Sequence, residues 1–132
     1  MRIEEYEHGG EGMSRVYQNA NWMVGIKNWK SANDIANIDC LERHNGTDEL
    51  FVLLEGTCTL LFANEVDGNL VIEALRLKPL RVYKVPRSLW HNTVTTRATK
   101  LILVEDSATS GENSDVLALS EPLKAEARRL AG

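Results

Sequence analysis

The chain has 132 residues, enough for one domain that buries a core of its own without disulfide staples. Fifteen Lys and Arg against nineteen Asp and Glu give a net charge of −4, and neither sign gathers into a run, which argues against nucleic acid or an anionic membrane as partner. No stretch has the apolar length that a bilayer requires, and the acidic start from Met1 to Glu7 carries no apolar leader, so a soluble, cytoplasmic protein is expected.

Residues 1–14 read as a flexible lead-in. His8-Gly9-Gly10-Glu11-Gly12 is glycine-rich and aperiodic, and it lacks the preceding strand and following helix of a phosphate loop. From 15 to 106, short apolar or alternating runs at 15–17, 21–29, 38–44, 49–55, 57–63, 70–77, 81–85, 91–97 and 100–106 are separated by turn residues. Strands this short and this numerous mean an all-β sandwich or barrel. Trp22 and Trp29 fall on the second run and are read as packing at a subunit interface rather than lining a pocket mouth.

Asn45-Gly46, between 38–44 and 49–55, tolerates positive φ at both positions and reads as a hairpin turn within a loop over 45–48. In that register His44 stands opposite Glu49, and Glu42 opposite Phe51. Alternation then puts Glu42, His44, Glu49, Phe51 and Leu53 on one face. Leu50, Val52 and Leu54 occupy the other, so both faces need cover, from a terminal helix or from a second copy of the chain. Asp67-Gly68 signals a second hairpin, and Lys78-Pro79-Leu80 marks a crossover between sheets, since proline cannot donate to a central ladder. Residues 107–119 form a polar loop ending in an edge strand near 116–119. Residues 120–132 form a short helix, with Pro122 in its first turn, Leu123, Ala127 and Leu130 at helical spacing, and Arg128 and Arg129 near its negative end.

The chemistry concentrates at two places. Opposed Cβ atoms on paired strands stand roughly 5 Å apart, which lets His44 and Glu49 share a metal or a proton, and Pro86-Arg87-Ser88-Leu89-Trp90-His91 can return a second imidazole. Glu42, His44, Glu49 and His91 are therefore candidate metal ligands. Two imidazoles with one or two carboxylates suit iron(II), manganese(II), nickel or zinc. Without a metal, His44, Glu49 and His91 make a general acid and base. The plainer reading gives Glu42 a salt bridge to Arg87 or Arg97 and leaves both histidines as hydrogen-bonded barrel residues. Phe51, Tyr83, Arg87 and Trp90 are pocket candidates, Arg87 for an anionic group and Trp90 for stacking on a ring. Cys40 and Cys58 lack zinc-knuckle spacing and read as buried thiols. Cys40, two residues before Glu42, is the one to watch in a metal titration.

These spacings resemble the motifs of the cupin family, small jelly-roll barrels. His44, Glu49 and Gly56 fit the family's first motif, and Pro86 and His91 its second, a resemblance spanning about residues 36 to 106. Glu42 stands where the family has the first histidine of a His-x-His pair. Ala36, Leu80 and Ser88 replace motif glycines, and Thr95 replaces an asparagine. The resemblance implies a single cupin double-stranded β-helix with a short C-terminal helix and a small-molecule pocket. In typical members three histidines and a glutamate bind one divalent transition metal. It also implies two alternatives, a metal-independent sugar or sugar-nucleotide isomerase or epimerase and a non-enzymatic ligand-binding barrel, and it implies a homodimer paired sheet to sheet.

Overall fold

A computed structural model of the chain describes residues 1–132 as ten strands and one helix. The strands are β1 (Met13–Gln18), β2 (Trp22–Asn28), β3 (Cys40–His44), β4 (Glu49–Glu55), β5 (Cys58–Val66), β6 (Asn69–Arg76), β7 (Val82–Val85), β8 (Trp90–Thr95), β9 (Lys100–Asp106) and β10 (Ser114–Ala118), followed by α1 (Glu121–Ala131). Two five-stranded antiparallel sheets face each other, ordered β1-β2-β9-β4-β7 and β10-β3-β8-β5-β6. From β3 onward the chain mostly crosses from one sheet to the other, the jelly-roll arrangement expected from the sequence. No helix is long and apolar enough to cross a membrane.

Period-two alternation builds the inner layer. In β4, Glu49, Phe51 and Leu53 are buried, and in β9 Leu101, Leu103 and Glu105 are. Phe51, Leu53, Leu101 and Leu103 join Met23, Cys58, Leu60, Leu77 and Val85 in a cluster between the sheets. A second cluster, with Ile38, Leu41, Leu61, Ile72 and Val94, lies under α1, whose Ala127 and Ala131 are buried against it. The Ser120 hydroxyl accepts from Leu123 N–H at the start of α1, and Pro122 sits in the first turn, where its missing N–H is harmless.

The turn chemistry divides. Asp67 and Gly68 both have positive φ, 51° and 80°, and join β5 to β6 as the two-residue hairpin that Asp-Gly signals. Lys78-Pro79-Leu80 carries the chain from one sheet to the other, as expected, with Leu80 at φ 64°. Asn45-Gly46 does not close a hairpin. Neither residue has positive φ, and β3 and β4 lie in different sheets. The edges of β3 are taken by β10 and β8, and those of β4 by β7 and β9. Asn45 spends its polar groups on Asn113 O, Asp115 and Ser88. Gly56 is required for two reasons: its φ is 72°, and a Cβ there would come within 2.6 Å of the Ala98 carbonyl carbon.

Residues 8–12 of the lead-in are hydrogen-bonded to the barrel. Asn28 Nδ2 donates to His8 O and Gly10 O, Lys100 Nζ donates to His8 O, and Gly12 pairs with Asn28 and Trp29. Strand β1 begins at Met13, two residues before the expected start of the barrel. Leu50, Val52 and Leu54 face outward, as expected, but α1 covers the other sheet, so Leu54, Val82 and Trp22 remain exposed. Trp22 packs on Tyr17, and Tyr6 of the N-terminal segment packs on Tyr17 in turn, so that segment partly covers this face at β1 and β2; Trp29 carries the Arg97 guanidinium on its ring.

Candidate functional site

Two histidines and three glutamates converge between the sheets. β3 supplies Glu42 and His44, β8 supplies His91, β4 supplies Glu49 and β9 supplies Glu105. The only paired position of β3 and β8 is Glu42 with His91. Beyond it Asn92 Nδ2 bonds the Cys40 carbonyl, and Asn33 Nδ2, in a 3-10 turn, donates to Asn92 Oδ1 and Thr93 O. This buried amide pair replaces the missing ladder bonds and holds the two imidazole-bearing strands together. The expected neighbourhood of His44 and Glu49 is real, but it arises across the barrel and not along a hairpin.

Both imidazoles are oriented from behind. His91 Nδ1–H donates to Leu89 O at 2.8 Å, and His44 Nδ1 meets Ser114 Oγ at 2.8 Å. Nε2 of each ring therefore faces the pocket. His91 Nε2 lies 3.0 Å from Glu49 Oε1. His44 Nε2 stands 3.7 Å from Glu49 Oε1, 3.8 Å from Glu42 Oε1 and 3.9 Å from Glu105 Oε2. Side-chain exposure is 12% for His44, 3% for His91 and 6% for both Glu49 and Glu105, against 44% for Glu42.

Burial and charge work against each other here. Burial alone would raise Glu49, but the hydrogen bond and charge of His91, with His44 and Lys27 behind, hold it below the usual carboxylate range. Burial would lower His91, and the hydrogen bond and charge of Glu49 outweigh it and raise it. Glu105 has a carboxylate, Glu49, as its neighbour. Burial, then the charge of Glu49 and a hydrogen bond to it, push Glu105 up to about 8, and its Oε2 is buried without a hydrogen bond.

The other expected residues separate. Phe51 lines the cavity. Tyr83 packs against the inner cluster, but its hydroxyl accepts from Lys78 N–H and it does not line the pocket. Trp90 and Arg87 lie on the outside of the second sheet, where Arg43 stacks on Trp90. Alternation requires this, since His91 points inward and its strand neighbour must point out. Glu42 meets neither Arg87 nor Arg97; its ion-pair contact is His44. Cys40 is half-buried and outside the ligand cluster, and burial pushes the Cys58 thiol up to about 12, which leaves it inert.

No family model and no curated protein matches the sequence. Solved structures do match the fold. A cupin-2 domain containing protein from Shewanella frigidimarina aligns over 75% of this chain and 84% of its own, with TM-score 0.55 and 15% identity. A variant of Streptomyces Pac13 with uridine aligns over 96% and 98%, with TM-score 0.63 and 10% identity. Oxalate decarboxylase from Bacillus subtilis aligns over 79% of this chain and 25% of its own, with TM-score 0.52 and 16% identity. This chain has the cupin fold.

Within the cupin pocket, sequence reasoning missed Glu105 and Lys27. Both were within reach of the alternation rule. Glu105 continues the inward series Leu101, Leu103, and Lys27 continues Met23, Gly25. A charged residue at an inward position of a barrel strand is the signal. Neither sits in a recognised motif, and that is why the motif spacing passed over them.

Proposed function

We propose that the pocket binds one divalent transition-metal ion and, beside it, a small molecule. The setting of His44 Nε2 carries this reading: three carboxylate oxygens lie 3.7–3.9 Å from it, beyond hydrogen-bond range and at the spacing of donors that share an ion. The buried, partnerless Oε2 of Glu105 is an acceptor without a donor, which a cation would satisfy. Two overlapping donor triads, Glu42 with His44 and His91, and His44 with Glu49 and Glu105, have His44 in common. His44, His91, Glu49 and Glu105 would hold the ion, with Glu42 on the exposed side. Imidazole with carboxylate suits iron(II), manganese(II), nickel or zinc. Such an ion, when bound, supplies a Lewis acid that polarises an oxygen of its ligand. Leu89 O and Ser114 hold the imidazoles in place, and Phe51, Met13 and Leu103 keep water from one wall.

The test is metal content by plasma mass spectrometry after reconstitution with each of the four ions. Wild type and Glu42→Gln should carry about one ion per chain, His44→Ala none, and Glu105→Gln should bind about 10–100-fold more weakly. No stoichiometric ion in any wild-type sample ends the reading. The hydrogen-bonded pair of His91 and Glu49 then remains as an acid and base, the second reading that its 3.0 Å contact favours. Its sugar-nucleotide version loses support, because Arg87 and Trp90 lie outside the pocket. A ligand-binding role without catalysis fits the same cavity. The homodimer belongs to this proposal as cover for the exposed face of Leu54, Val82 and Trp22, and a monomeric mass in light scattering would refute it.

A further inference from the structure

We infer that the small molecule is a short-chain carboxylic acid, held through its carboxylate by the Lys27 ammonium. This rests on the metal reading above and deepens it. Lys27 lies on β2, partly buried, and lines the same cavity as these histidines and glutamates. It forms no hydrogen bond and no ion pair. Lys30, the other cation of the cavity, is also unpaired but is exposed to solvent, whereas Arg15 donates to Ser107 O and Thr109 O, Lys100 to His8 O and Asn28 Oδ1, and Arg43 pairs with Asp115. Burial pulls Lys27 below the usual lysine range, against the opposing pull of Glu42 and Glu49. A partly desolvated ammonium that faces a cavity and touches no acceptor has its hydrogen-bonding capacity free for a ligand.

Charge and size then narrow the class. Glu42, Glu49 and Glu105 line the same cavity as Lys27 and Lys30. With a dication present and the carboxylates ionised, one positive charge is left over, and a monoanion cancels it. A neutral sugar or nucleoside would leave Lys27 without a partner. The cavity measures ≈ 220 Å³, below the roughly 300–1,000 Å³ of pockets for drug-sized ligands. Phe51, Met13 and Leu103 offer an apolar wall for a short carbon chain.

The test is calorimetric titration of zinc-loaded and metal-free protein with glycolate, lactate and pyruvate, each against its neutral amide. Wild type should prefer at least one acid to its amide by about tenfold to a hundredfold, the range of a charge-assisted hydrogen bond. Lys27→Met, which keeps the stem and removes the charge, should lose that preference while loading zinc as wild type does, and Lys27→Arg should keep it. Equal binding of acid and amide by wild type, or an unchanged preference in Lys27→Met, overturns the inference. Failure of wild type to load zinc overturns the metal reading alone. The metal-free titrations then decide Lys27 by the same two outcomes.

Discussion

Stripped of metal, the chain should be most stable near pH 5 and should weaken steadily as the pH rises to about 8. Three groups set this profile. Glu49 is held below its ordinary value, so its contribution is present above about pH 4.5 and is lost as the pH falls through its folded value. His91 is raised, so its contribution is full below about 6.5 and is lost as the pH rises through its folded value. Glu105 is raised from 4.5 to about 8. Between those values the folded chain holds a proton that the unfolded chain has released, so stability falls as the pH rises. Glu105→Gln, a neutral isostere, should remove most of this slope and should be more stable than wild type at pH 8. Urea unfolding of chelator-treated protein at pH 5, 6.5 and 8 measures it. Parallel profiles for the two proteins would show that Glu105 is ionised in the folded chain and not strained by its surroundings.

A divalent ion should reverse this profile, because it takes the place of the protons. Zinc binding at pH 6.5 is expected to release more than one proton per ion, one from Glu105 and the rest from His91, since both are raised in the metal-free chain. Apparent affinity should then climb by more than about tenfold for each pH unit below that point. Glu105→Gln should release only the His91 share and show a shallower slope. Stabilisation should be greatest at pH 8, about 2.7 kcal/mol at a free zinc concentration a hundred times the dissociation constant. Calorimetry in buffers of differing ionisation enthalpy counts the protons. Zinc binding that releases none would place the ion away from both residues.

The fold was legible because its signals are local and repeated. Alternation set the inner faces of β4 and β9, Asp67-Gly68 set one hairpin, and the spacing of His44, Glu49, Gly56, Pro86 and His91 pointed to the jelly-roll fold. Asn45-Gly46 misled because a turn signal states only that the chain can reverse there. Whether the flanking strands pair depends on what else competes for their edges, and β10 and β8 claim β3. Glu42, His44, Glu49 and His91 reached one pocket all the same, because facing sheets and paired strands both bring inward side chains together. Trp90 was misplaced by taking the motif as a block, although the strand rule separates it from His91. The amide pair of Asn33 and Asn92 is fixed only in three dimensions, by residues about sixty positions apart in the chain.

The donors divide between the two sheets, Glu42, His44 and His91 on one and Glu49 and Glu105 on the other. No single strand sets their spacing. It is inherited from the gap between the sheets, and the inner cluster, which shares Phe51 and Leu103 with the pocket wall, fixes that gap. The barrel thus works as a pair of calliper jaws with the core as its pivot. A methylene gained or lost at Leu53 or Leu101, neither of which lines the pocket, resets the opening of the jaws. Preference among ions of different radius can therefore drift through the core while every ligand stays the same.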